Sequence, residues 1–128
     1  MDEREIAQDW LDDMAYTAAV RDYKAHLDLF SRDVQLHGVP DAGVIDYEGW
    51  VRRRLHELKT GLLFSLSYRD LEIRSASEDE IVFTVSEKMK SSEGHILVLE
   101  KEVMIVKERK NRWRAKLERI NHHEMRSS

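Results

Sequence analysis

The sequence predicts an α+β domain in which a strongly bent antiparallel sheet wraps three N-terminal helices into a cone. Two observations predict it. Apolar residues recur at helical spacing as far as residue 60, and from Leu62 onward they alternate with a period of two. The alternation then slips by one residue near Arg69, which marks a β-bulge, and a bulge bends its strand sharply. Helices gathered on one side of such a sheet give an α+β domain, and the bend should leave an interior cavity.

In the first segment Ile6, Trp10, Met14 and Ala18 recur every four residues beside Leu11 and Ala15, while Asp9, Asp12 and Asp13 occupy the other face, as in an amphipathic helix. A short second helix follows Asp22 and places Tyr23, Leu27 and Phe30 on one side. "DVQLHGV" alternates Val34 and Leu36 as a strand, and "VPDAGVID" is turn chemistry. "YEGWVRRRLHELKTG" predicts a third helix with Trp50, Val51, Leu55 and Leu58 inward, closed by Gly61. "LLFSLSY" alternates Leu62, Phe64, Leu66 and Tyr68, with Leu71 and Ile73 on the opposite parity. Strands from Ile81 to Lys90 and from Ile96 to Glu108 meet around "SSEGH", and a last strand runs from Arg112 to Ile120 after a tight turn at Lys110-Asn111.

The register of the middle pair matters. A two-residue Glu93-Gly94 turn would set Glu87 opposite Glu100, and like charges directly across strands are unfavourable. A three-residue loop instead puts Ile81, Phe83, Val85 and Met89 on one face with Leu97, Leu99, Val103 and Ile105. On that face Glu87 and Lys101 interrupt the two apolar rows as diagonal neighbours. A charge facing inward is unfavourable unless paired or wet, so the pair is read as a polar spot in an apolar cavity, the usual plan of a small-molecule site. Trp10 and Met14 on the first helix and Trp50 on the third face the core, and Trp10 and Met14 are also candidates to line the cavity.

Composition bounds the rest. The 128 residues are expected to form one domain with an ordered core over about 4–121. There is no cysteine, hence no disulfide and no thiolate chemistry, and no apolar run long enough for a membrane span. With an acidic start lacking the features of a secretory signal, a cytoplasmic protein without membrane contact is expected. The net charge is −4, yet residues 1–13 carry −5 and residues 107–119 carry +5. The basic run around Trp113 is read as a solvated hairpin facing acidic helix of its own or a second chain, because nucleic-acid-binding domains usually have a basic total. Arg52-Arg53-Arg54 reads as a solvated helix face. His122-His123 lacks partners at ligand spacing and lies near an end expected to fray, so no metal site and no cofactor are expected. Val82, Val98, Met104 and Val106 make the outer sheet face apolar as well, which is explained if a twofold partner covers it.

The stretch "RDYKAHLDLFSRDVQLHG" resembles the nuclear transport factor 2-like (SnoaL-like) superfamily, in which a Gly-Asp precedes a Leu-Phe pair, an Asp and a strand ending in His or Glu. The matching residues are Asp22, Leu29-Phe30, Asp33 and His37. The loop into "YEGWVRRRL" and the hairpin "ERKNRWRAKLERI" also look like that superfamily's third-helix entry and closing strand. The resemblance implies a cone with a pocket bordered by His37 and frequent dimerisation through the outer sheet face. The superfamily hosts isomerases, dehydratases, epoxide hydrolases, cyclases and non-catalytic domains, so the fold alone names no function. The tyrosine and aspartate of the ketosteroid isomerases fall at Met14 and Gly38, which excludes that activity. His37, Asp41, Tyr16 and Tyr68 are the residue types of a scytalone-type dehydratase, and Arg119 with Asp33 those of an epoxide hydrolase.

The expected function is binding of a small apolar molecule, with lyase, isomerase or cyclase chemistry in which His37 and Glu87 act on the proton and Trp10, Met14, Tyr68 and Lys101 hold the ligand. The competing expectation is a non-catalytic homodimerisation or interaction module with a closed cavity.

Overall fold

Three aspartates start the three helices. Asp2, Asp22 and Asp46 each accept a backbone N–H three residues on, at 2.8, 3.2 and 2.9 Å, which satisfies donors that a helix start leaves free. They open α1 (Glu3–Ala19), α2 (Tyr23–Leu27) and α3 (Tyr47–Thr60) in a computed structural model that describes residues 2–127. Helix α1 buries Ala7, Trp10, Leu11, Met14 and Ala18, the stripe its spacing predicts. Gly61 ends α3 with φ +81°, a left-handed cap that glycine adopts without strain.

The strands are β1 (Phe30–His37), β2 (Ser65–Ala76), β3 (Glu80–Lys90), β4 (His95–Glu108) and β5 (Arg112–Ser127), in the sheet order β1-β5-β4-β3-β2. β2 through β5 form an antiparallel meander, and β1 joins β5 in parallel, a pairing not legible in the sequence. The bulge expected near Arg69 lies between Arg69 and Glu72, with Asp70 at φ +61°. The β3–β4 register is the one that charge repulsion selects, with Glu87 opposite Leu99 and Lys101 opposite Val85.

The core lies between α1, α3 and the concave sheet face. Phe30 stacks on Trp50 at 3.8 Å between ring centroids, and Trp10 meets Phe30 and Phe83 at 5.9 and 6.2 Å.

Several expectations need correcting. Leu62 and Phe64 are exposed and Leu63 is buried, because β2 begins only at Ser65. Phe30 belongs to β1, and the residue that α2 buries is His26. Arg54 is not on a solvated face: it is 5% exposed. β5 continues to Ser127, so His122 and His123 are ladder residues opposite Glu100 and Leu99. As strand neighbours they point to opposite faces and cannot share a metal ion.

The basic hairpin is tied down within the chain. Arg112 and Arg114 reach the two carboxylate oxygens of Asp28 at 2.7 and 3.0 Å. Among the described residues, no helix is long and apolar enough to cross a membrane.

Candidate functional site

A cavity of about 250 Å³ opens between the end of β1, α3 and the paired ends of β4 and β5. Its walls are largely apolar, from Leu36, Pro40, Trp50, Met89, Leu99 and Ile120. Three buried charged side chains break that surface: Arg54 from α3, Lys101 from β4 and Glu118 from β5. His37, Arg53, Glu57 and His123 stand at the more exposed mouth.

Local backbone features aim these groups. On α3, Arg54 sits one turn from both Trp50 and Leu58, in line with the two most buried apolar residues of the helix. On β5, a bulge at Lys116, between the Ile105–Ala115 and Met104–Leu117 pairs, resets the parity so that Glu118 faces inward opposite Val103. A second bulge at Asn121 keeps His123 on the cavity side. At the lip, Gly38 has φ +84°, and a Cβ there would collide with the Ile120 carbonyl oxygen.

The charges form one network. Lys101 Nζ lies 3.0 Å from Glu118 Oε1 and 3.0 Å from Glu87 Oε1, the second contact being an ion pair without hydrogen-bond alignment. The Tyr68 hydroxyl donates to Glu87 Oε2 at 2.7 Å. Burial would push the Glu87 carboxyl up, but Lys101 and Arg54 together outweigh it and hold it below the ordinary range. Burial would likewise lower the Lys101 ammonium, and Glu118 and Glu87 raise it instead. The Tyr68 phenol is pushed well up by burial and by the adjacent Glu87 charge.

Arg54 anchors a second chain of contacts. Its Nε donates to Glu57 at 3.1 Å and its Nη1 to His26 Nε2 at 2.9 Å, while His26 Nδ1 lies 2.8 Å from the Thr17 hydroxyl. Burial, and then the Arg54 charge, lower the His26 pKa to about 3.

The sequence-derived candidates divide accordingly. Lys101 lines the cavity, and His37 stands at its mouth with Nε2 3.2 Å from Gln35 Oε1 rather than bonded to the Asp41 turn. Glu87 lies behind Lys101, does not line the cavity and is 1% exposed. Tyr68 is spent on Glu87 and also lies outside the lining. Trp10 and Met14 are packed core residues away from the cavity, with Trp10 Nε1 donating to the Leu29 carbonyl at 3.1 Å. Arg54, Glu118 and His26 are the residues that sequence reasoning missed.

No protein-family model matches the chain, and no curated protein sequence matches it. Solved structures do. An NTF2-like protein from Shewanella oneidensis MR-1 superposes with a TM-score of 0.75 at 13% identity, over 94% of this chain and 98% of that one. A scytalone dehydratase-like protein from Novosphingobium aromaticivorans gives 0.67 at 15% identity, over 95% and 86%. LinA gives 0.66 at 14% identity, over 94% and 86%. The fold is therefore the nuclear transport factor 2-like α+β fold, shared here without a subfamily.

Proposed function

We propose that this chain binds a small, largely apolar molecule in the cavity and moves a proton on it, as a lyase, isomerase or cyclase working with its own acid/base groups. The observation that carries the reading is the convergence of Arg54, Lys101 and Glu118 on a cavity otherwise lined by apolar side chains. Fixed charges in a dry site act strongly on a bound polar group. Glu118 replaces Glu87 in the proton-accepting role, because of these two it is Glu118 that borders the cavity. Lys101 and Arg54 face the oxygen on which charge develops, and His37 at the mouth exchanges the proton with water. The fold resemblance to a dehydratase-like protein is consistent with this chemistry.

The cavity volume is below the common range for ligand pockets, which starts at about 300 Å³. One- and two-ring molecules suit it, and steroids do not. The alternative of an interaction module with a closed cavity fits an open cavity less well.

Thermal unfolding against a panel of one- and two-ring ketones, phenols and acids tests the proposal. A binder at 100 times its dissociation constant adds about 2.7 kcal/mol of stability. Ile120→Trp, which fills the cavity, should abolish the shift. A panel with no stabilising member sinks the reading.

A homodimer is proposed through the outer sheet face, where Val82, Met104, Val106 and Leu117 are half-buried in the single chain and Val98 is buried. Covering them in a twofold contact removes apolar surface from water. Sedimentation equilibrium decides this, and a monomer at micromolar concentration rejects it.

A further inference from the structure

We infer that Arg54 recognises the polar head of the ligand, and that this head is an uncharged oxygen acceptor such as a ketone carbonyl rather than a carboxylate. The inference rests on the ligand-site reading of the cavity and gives it a substrate class.

The Arg54 guanidinium can only donate. Two edges of its plane are fixed, Nε on Glu57 and Nη1 on His26. Because Nη1 donates, His26 Nε2 must accept, so the proton of the neutral imidazole sits on Nδ1. Nδ1 then donates to the Thr17 hydroxyl, whose own proton goes to the Asp13 carbonyl at 2.6 Å. The contacts from Arg54 Nη1 through His26 to Thr17 and the Asp13 carbonyl each pair a donor with an acceptor, and only one tautomer fits. A protonated His26 would set N–H against N–H at Arg54. Thr17 and His26 are thus positioning residues that hold the guanidinium plane from α1 and α2.

What remains is Nη2. It has no acceptor among the described residues, and it is not sealed in the interior as Trp50 Nε1 is. A guanidinium clamped at two of its nitrogens, on a side chain that lines the cavity and with Nη2 unpartnered among the described residues, is a pre-oriented donor for a ligand oxygen.

The charge balance selects the oxygen. Arg54, Lys101 and, at the exposed mouth, Arg53 stand against Glu57, Glu87 and Glu118, three cations and three anions. A carboxylate entering this cavity would lose its hydration and find no excess of positive charge. A carbonyl accepts a hydrogen bond from Nη2 without that penalty. Glu118 Oε2, with no hydrogen bond among the described residues, stands as the acceptor on the same wall.

The test compares three probes of similar size by isothermal titration: ethylbenzene, acetophenone and benzoate. Acetophenone is expected to bind about ten-fold more tightly than ethylbenzene, as one hydrogen bond to a charged donor allows, and more tightly than benzoate. Arg54→Lys should remove the ketone advantage over ethylbenzene. His26→Ala should reduce the advantage, and His26→Gln, which keeps an acceptor for Nη1, should restore it. Benzoate as the tightest probe, or a ketone advantage intact in Arg54→Lys, overturns the inference while leaving the cavity reading in place. Failure of all three probes to bind removes the cavity reading itself. The wild-type ranking needs no variant, so it decides the charge argument even where a substitution fails to fold.

Discussion

Glu87 and Lys101 lie diagonally across the β3–β4 pair, with Nζ 3.0 Å from Oε1 and neither residue more than 5% exposed. The two are not equivalent. Lys101 serves two buried carboxylates, whereas Glu87 is one of two partners. Lys101→Met therefore strands both Glu87 and Glu118 and should destabilise by about 3–5 kcal/mol. Glu87→Gln removes one charge, keeps the Tyr68 hydrogen bond and leaves Lys101 paired with Glu118, so its effect should be smaller. Urea unfolding of both variants checks this, and the reverse order would show that Lys101 is not the hub.

His26 links stability to pH. Its pKa is about 3 in the folded chain and 6.5 ordinarily, so on acidification the unfolded chain takes the proton first. The stabilisation is complete above pH 6.5 and is lost as pH falls toward 3, at up to about 1.4 kcal/mol per pH unit. Between pH 5 and 6.5 this slope should appear in wild-type urea unfolding and flatten in His26→Gln. Equal slopes in the two proteins would mean that His26 accepts a proton while folded.

The two buried tryptophans should respond differently to loss of the indole N–H. Trp10 Nε1 has the Leu29 carbonyl as acceptor, while Trp50 Nε1 is buried without one among the described residues. Trp10→Phe breaks a hydrogen bond, and Trp50→Phe removes an orphaned donor. Trp50→Phe should be the milder change by about 1–3 kcal/mol. Chemical unfolding of the pair measures it, and equal losses would point to a partner for Trp50 Nε1.

Gly38 and Gly43 make a second contrast. At Gly38 a side chain meets both a left-handed backbone and the Ile120 carbonyl, whereas nothing lies within 4 Å of a Cβ at Gly43. Gly38→Ala should destabilise by at least about 1–2 kcal/mol. Gly43→Ala should be neutral or stabilising by up to about 1 kcal/mol. A neutral Gly38→Ala in thermal unfolding would mean that the lip is mobile.

These residues show what sequence reading reaches and where it stops. The switch from helical to strand period located the elements, and repulsion between Glu87 and Glu100 selected the register that puts Lys101 beside Glu87. The functional wall was harder. Arg54 sits at helical spacing from Trp50 and Leu58, a signal present but masked by the adjacent arginines. Glu118 faces inward only because of the Lys116 bulge, and one unpredicted extra residue inverts every side chain beyond it. His26 lies on a five-residue helix, too short for periodicity to mark a face. Parallel pairing of β1 with β5 joins segments some eighty positions apart, and local pattern carries no trace of it.

That pairing also governs how the chain reaches its native state. β1 is made early and, among the described residues, finds its ladder partner in β5, so the sheet edge beside Trp50 stays unzipped until that strand arrives. Contacts this distant along the chain slow the conformational search, since loop-closure entropy is lost before the pairing repays it. Refolding followed by stopped-flow tryptophan fluorescence should take milliseconds to seconds, and microsecond refolding would show that the closure of β1 on β5 does not limit the rate. On the ribosome, the aromatic cluster of Trp10, Phe30 and Trp50 waits for its cover, and that interval is when the nascent chain is most open to aggregation.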